Sequence, residues 1–189
     1  MKVRVIFLAA LVGLTITGAA IAAESVVIRG TSGNDVLTGT PANDRIYARA
    51  GDDQVASLEG NDRVVGALGN DSIDLGAGDD FARGGPGADT ILGGDGNDRL
   101  RGRRGPDSED GGLGNDILHG GRGADQLQGG DGDDELFMLA RDHQADVADC
   151  GPGNDKVWVN VKERKDTFVN CETIYRVHVT RAQEINDDN

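Results

Sequence analysis

Residues Gly84 to Arg101 read GGPGADTIL GGDGNDRLR, two nine-residue units with glycine at positions one, two and four, aspartate at six and an aliphatic residue at eight. The same phase extends in both directions without insertion or deletion, giving twelve consecutive units from Gly30 to Phe137. Position six is aspartate in every unit: Asp35, Asp44, Asp53, Asp62, Asp71, Asp80, Asp89, Asp98, Asp107, Asp116, Asp125 and Asp134. Position four is glycine except at Ala42, and position eight is a large aliphatic residue except at Ala82 and Glu109. A period this short has no room for helix pairs, so each unit holds one strand and one turn. Glycine permits positive φ and close approach of the backbone, and Asn or Asp at position five tolerates left-handed geometry. In a strand over positions seven to nine, side chains alternate between faces. Leu37, Ile46, Val55, Val64, Ile73, Ile91, Leu100, Leu118, Leu127 and Leu136 are therefore expected to line a thin interior, with Arg45, Arg63, Arg99, Arg101 and Gln126 facing water.

The G-G-x-G-x-D-x-U-x pattern, U being a large aliphatic residue, resembles the repeat of the RTX, or haemolysin-type calcium-binding, family over residues 30–137. The resemblance implies an all-β fold: a right-handed parallel β-roll, that is, a β-solenoid of six turns with two nonapeptides per turn. It implies Ca2+ between successive GGxGxD loops, held by Asp35, Asp44, Asp53, Asp62, Asp71, Asp80, Asp89, Asp98, Asp116, Asp125 and Asp134. Backbone at Gly84, Gly87, Gly93, Gly96, Gly111, Gly114, Gly120, Gly123, Gly129 and Gly132 completes that set.

Elementary electrostatics leads to the same ion. Parallel strands lie about 4.8 Å apart, so aspartates from every second unit stack in two rows. Two carboxylates about 5 Å apart repel by roughly 0.8 kcal/mol in water and by about 3 kcal/mol at an effective dielectric near 20. A divalent cation between loops reverses that sign, and carboxylates with glycine carbonyls supply the oxygen-only shell that calcium accepts and magnesium fits less well. Loops paired two units apart give up to five sites per row. The interior is thin and glycine-rich, so metal binding is expected to supply folding energy.

The units are unequal. The fullest are Gly84–Leu92, Gly93–Arg101 and the three from Gly111 to Phe137, which favours the loops at Asp98, Asp116 and Asp134. The ninth unit carries Arg103, Arg104, Pro106 and Glu109, which places binding at Asp107 in doubt. Ala48, Ser57 and Leu75 replace the first glycine and are expected to weaken the sites between Asp53 and Asp80.

The ends suggest where the chain resides. Lys2 and Arg4 precede an apolar run from Val5 and a small-residue pattern, Ala20-Ile21-Ala22, which reads as a signal peptide over residues 1–22 with a mature start at Ala23. An uncleaved membrane anchor is the alternative reading. Residues 23–29 lead into the roll at 30–137, and residues 138–189 read as a separate capping segment. In an exported chain Cys150 and Cys171, the only cysteines, are expected to form a disulfide worth roughly 3 kcal/mol. The tail around DVADCGPGNDKVWV resembles the segment that follows such repeats in secreted calcium-binding proteins, and Gly151 to Asp155 mimics one more GxGxD loop.

Without Lys2 and Arg4 the chain has 19 − 2 = 17 basic against 33 acidic residues, a formal charge of −16. Such a surface disfavours nucleic acid and anionic membrane as partners. His119, His143 and His178 lie in different contexts, there is no GxSxG element, and no zinc spacing occurs. The chain therefore reads as a secreted, non-enzymatic calcium-binding protein. An adhesin or cell-envelope scaffold rigidified by calcium, and a calcium-dependent hydrolase or toxin, are the readings from other classes.

Overall fold

Alternation along each unit sets the architecture: one short strand cannot bury its aliphatic side chain alone, so units stack until a continuous row of position-eight residues is shut away from water. The computed structural model describes residues 24–140, 142–162 and 165–179; the expected signal peptide lies outside them. Two parallel sheets result. One contains, in spatial order, β1 (Val27–Arg29), β3 (Arg45–Ala50), β5 (Arg63–Leu68), β7 (Phe81–Arg83), β10 (Arg99–Arg104), β12 (Ile117–Arg122), β14 (Glu135–Met138), β16 (Lys156–Asn160) and β18 (Thr173–Val177), with the two-residue β8 (Gly85–Pro86) also pairing β10. The other runs β17 (Thr167–Val169), β15 (Val147–Asp149), β13 (Gln126–Asp131), β11 (Ser108–Leu113), β9 (Thr90–Asp95), β6 (Ser72–Ala77), β4 (Gln54–Ala56) and β2 (Val36–Thr38). Even-numbered units feed the first sheet and odd-numbered units the second, so each turn takes two units, as expected of a parallel β-solenoid.

All ten position-eight side chains named above are buried in one cluster between the sheets. Ala48 and Leu75 join it from position one, which points inward as well. That inward position explains a first difference from expectation. Most strands of the repeat are six residues long, running on through positions one to three of the next unit, and Gly76, Gly94, Gly112 and Gly130 stand in register across four neighbouring rungs. The turn proper is confined to positions four to six.

The second difference is at the end. Strands beyond Phe137 continue both ladders instead of closing them, and the roll has eight rungs in its smaller sheet instead of the six turns expected. β14 pairs with β16 and β16 with β18, while β13 pairs with β15 and β15 with β17, all parallel. Sequence spacing hides this because the offset between rungs changes from 18 residues to 21, 20 and 17 in the tail. Two devices hold the added rungs. A column of rings, His119, Phe137, Trp158 and Tyr175, stacks across the boundary with centroids 4.4, 4.7 and 5.1 Å apart, and such cross-strand pairs contribute on the order of 0.2–1 kcal/mol each. Cys150 and Cys171 are joined in a disulfide that ties the rung of β15 to that of β17.

Glu109 is the one acidic residue in the aliphatic column, in register with Ile91 and Leu127. It is buried, its Oε1 accepts the Gly102 N–H, and its Oε2 has no partner. Burial, with Asp125 nearby, raises its pKa to about 8, so it is folded as the neutral acid at pH 7. Glu109→Leu restores the column and should stabilise the roll by about 1–3 kcal/mol, read as a higher thermal midpoint in calcium; the gain from burial and from removing an orphaned oxygen exceeds the lost Gly102 bond.

Candidate metal centre

Position six closes each turn just before its strand, and the structure turns every repeat aspartate inward: all twelve are buried, at 1–3% exposure. The acidic rows are thus internal corners of the roll, not its exposed edges. Within a row the geometry repeats. The main-chain N–H of each aspartate donates to Oδ1 of the aspartate one turn on, as from Asp80 to Asp98 at 2.8 Å, Asp98 to Asp116 at 2.7 Å and Asp116 to Asp134 at 2.8 Å. The same bond links Asp35, Asp53, Asp71, Asp89, Asp107 and Asp125 in the odd row.

The other carboxylate oxygen is where a ligand belongs. Oδ2 of Asp53, Asp62, Asp71, Asp80, Asp89, Asp98, Asp107, Asp116, Asp125 and Asp134 is buried without a hydrogen-bond partner, an arrangement too unfavourable to persist uncompensated in so many copies. In Asp71, Asp89, Asp98, Asp107, Asp116, Asp125 and Asp134 that oxygen faces the first glycine of its own loop, whereas Ala48, Ser57 and Leu75 stand there in the Asp53, Asp62 and Asp80 loops. A methyl group on Gly66, Gly84 or Gly111 would lie 2.2, 2.2 or 2.3 Å from the Oδ2 of Asp71, Asp89 or Asp116, so only glycine leaves the oxygen accessible there. No group of three or more metal-binding side chains assembles among the described residues. A site here would rest on two carboxylates from successive turns, with the remaining oxygens supplied by main-chain carbonyls. The donor set is all oxygen and matches calcium.

The family model for the RTX calcium-binding nonapeptide repeat matches four stretches, residues 29–64, 57–91, 74–109 and 110–137, together more than half of the chain. The chain belongs to the RTX calcium-binding nonapeptide-repeat family. Repeats of this family bind Ca2+, and the buried Oδ2 atoms and glycine cradles of this RTX roll fit that ion. No curated protein matches the chain at a significant level.

The RTX loops differ in ways that glycine counting alone misses. In the first two units Thr31 and Thr40 stand at position two, and the Oδ2 atoms of Asp35 and Asp44 already accept their N–H groups, at 2.5 and 2.6 Å, and their hydroxyls at 3.0 Å. These two carboxylates are the least available for metal. Asp107, by contrast, is placed like its neighbours: Gly102 and Gly105 keep the loop's inner positions, and Arg103 accepts a φ of 89° where glycine is usual. Its distinction is charge. Burial first, then Asp125, Asp89 and Glu109, raise its pKa to about 9, above every other member of the rows given a value. Ser57 and Leu75 fill the cradle instead of leaving it open, and the Ser57 hydroxyl donates to the Leu75 carbonyl at 2.7 Å.

Sequence reasoning missed two features. The rows run past the repeats: Asp125 donates to Oδ1 of Asp146 at 2.9 Å and Asp134 to Oδ1 of Asp155 at 2.8 Å. Asp146 donates in turn to Asp166, and Asp155 to Glu172. The loop Cys150–Asp155 reproduces the repeat turn, with Gly151 at φ 88°, Gly153 packed on Gly132 and an orphaned Oδ2 on Asp155. The GxGxD signal at 151–155 pointed to it. The second feature is an outer ladder at position five, in which the N–H of one turn donates to the side chain of the turn before, as from Asn97 to Asp79 and Asn115 to Asn97, both at 2.9 Å. It is continuous through the even units to Asn154 and interrupted in the odd units by Ala88, Pro106 and Ala124.

Burial raises the carboxyl pKa values along both rows, to about 7 at Asp80, Asp116 and Asp146 and about 6 at Asp53, Asp71, Asp89, Asp98, Asp125 and Asp134. An unfolded aspartate titrates near 3.8. Without metal, the folded roll therefore holds more protons than the unfolded chain between about pH 4 and 7, and its stability falls as pH rises through that window. The exposed Asp79 and Asp133, whose pKa values Asn97 and Asn154 lower, oppose this only weakly. Circular dichroism in chelator should show β signal rising on acidification from pH 7.5 to 5, while calcium affinity falls over the same range.

Proposed function

We propose that this RTX protein is exported and acts without catalysis, as a calcium-bound structural element. The observation that carries this reading is the uninterrupted pair of aspartate rows from Asp35 and Asp44 into the tail, which makes the whole described roll a single metal-binding scaffold. Calcium would be held between successive loops by the carboxylates of Asp53 to Asp134, whose Oδ2 atoms have no other partner, with backbone carbonyls of the GGxGxD turns completing the shell. Asp146 and Asp155 extend the rows by one turn each. When bound, calcium supplies positive charge between facing carboxylates; the chain supplies the spacing, the glycine cradles and the exclusion of water. The disulfide and the leader over residues 1–22 support export into an oxidising compartment.

The test is expression of the full chain in a host with a general export pathway. The expected product is found in the medium, begins at Ala23, has no free thiol and binds several calcium ions per chain. Retention in the cytoplasm with two reactive thiols would refute export. Turnover of esters, peptides or glycosides by the purified product would refute the absence of catalysis.

A further inference from the structure

The arginines of the roll are segregated by sheet. Every arginine between Gly30 and Phe137 lies on a strand of the larger sheet, among them the exposed Arg45, Arg63 and Arg99. β10 alone reads RLRGRR. The strands of the smaller sheet contain no lysine or arginine and carry Asp74, Asp95, Asp110 and Asp131 on their outer side. Chance does not favour such a split in a chain with net charge −14. The like charges also crowd one another: besides its burial, the positive charges of Arg103, Arg101 and Arg63 lower the pKa of Arg83.

The larger sheet is basic apart from Glu135, which pairs with Lys156 at 3.2 Å, and the smaller one is acidic, so the two faces, at a common rung spacing, are complementary between copies of the same molecule. We propose that a second copy of this chain docks its acidic sheet on the basic sheet of the first, once calcium has neutralised the internal carboxylate rows. The proposal rests on the calcium-binding reading, because only then does the external pattern dominate the field. The smaller sheet has four strands of six residues and four of three; at about 4.8 Å between strands and about 3.3 Å per residue they give roughly 570 Å² per partner, the size of a small, salt-sensitive interface. The acidic face also exposes Leu92 and Leu113, at 43% and 52%, as apolar contacts between its carboxylates. The pairing is head to tail in the sense that each copy keeps one unused face of each sign, so association does not close at two and proceeds to stacks.

The experiment is sedimentation of the mature chain in calcium, with circular dichroism on the same samples. At low ionic strength the wild type should sediment as a concentration-dependent series above the monomer and return to monomer near 1 M salt, where the Debye length is about 3 Å. The triple variant Arg45→Glu, Arg63→Glu, Arg99→Glu and the triple variant Asp74→Arg, Asp95→Arg, Asp131→Arg should each remain monomeric alone and associate when mixed. A folded, calcium-bound wild type that stays monomeric at all concentrations, or variants that fail to associate when mixed, would overturn the proposal. So would binding of polyglutamate by a monomeric wild type, which would assign the basic sheet to an external polyanion. A coil spectrum in calcium would instead count against the calcium reading itself.

Discussion

Chelation of calcium at pH 7.5 should convert the β spectrum of the mature chain to coil, and restoring calcium should reverse it. The expectation follows from the placement of the rows. Ten carboxylates of the repeats each keep one buried oxygen without a partner, and neighbours along a row stand at the strand spacing of about 4.8 Å. Each such pair repels by roughly 0.8 kcal/mol in water and more in the interior, so each row opposes its own formation until cations intervene. The aliphatic interior of the repeats is little more than the position-eight side chains of the two sheets with Ala48 and Leu75 beside them and offers little to offset that. A spectrum unchanged in excess chelator at pH 7.5 would show that the solenoid stands without metal.

Asp116→Ala should be the most damaging single substitution in a loop. It leaves the buried Asp98 N–H without its acceptor, which costs about 1–3 kcal/mol, and on the proposed coordination it would withdraw a ligand from two ions, those shared with the Asp98 and Asp134 loops. The midpoint of calcium-induced folding should rise at least tenfold and the stoichiometry fall by two. Asp116→Asn keeps an acceptor for Asp98 while removing the charge, so it should show the metal effect with less of the structural one. Asp35→Ala should leave stoichiometry unchanged, since Thr31 already occupies its outer oxygen. Asp107→Ala should have a smaller metal effect at pH 7, because burial raises the pKa of that carboxyl to about 9, while carrying the same structural cost as Asp116→Ala, since it leaves the buried Asp89 N–H without its acceptor. Equal losses from Asp116→Ala and Asp35→Ala would remove the basis for ranking the loops.

The repeat made much of this legible. A nine-residue phase held over residues 30–137 named the buried column and the aspartates that line up. It was silent where the governing variable is the 18-residue turn and not the unit. Arginine at positions seven and nine looks scattered along the chain, yet it belongs to even units alone and so to one sheet. The tail defeated the reading for a related reason: three added residues between the Asp134 and Asp155 loops break the phase, whereas the hydrogen bond from one aspartate to the next survives the insertion unchanged at 2.8 Å. Nor could composition distinguish Thr31 and Thr40, which close their loops, from glycines that leave theirs open.

The aspartate-to-aspartate bond has a directional consequence. Each residue offers its N–H to the turn ahead and its carboxylate to the turn behind, so a rung gains its full set of contacts only against a rung that already exists. The two ends are not alike in this respect. One begins with β1 and β2 and has no covalent fastening; the other carries a disulfide and a column of stacked rings. The geometry thus predicts a zip with its stop at the C-terminus: order should spread from the late-made end toward the early one, and loosening should travel the opposite way.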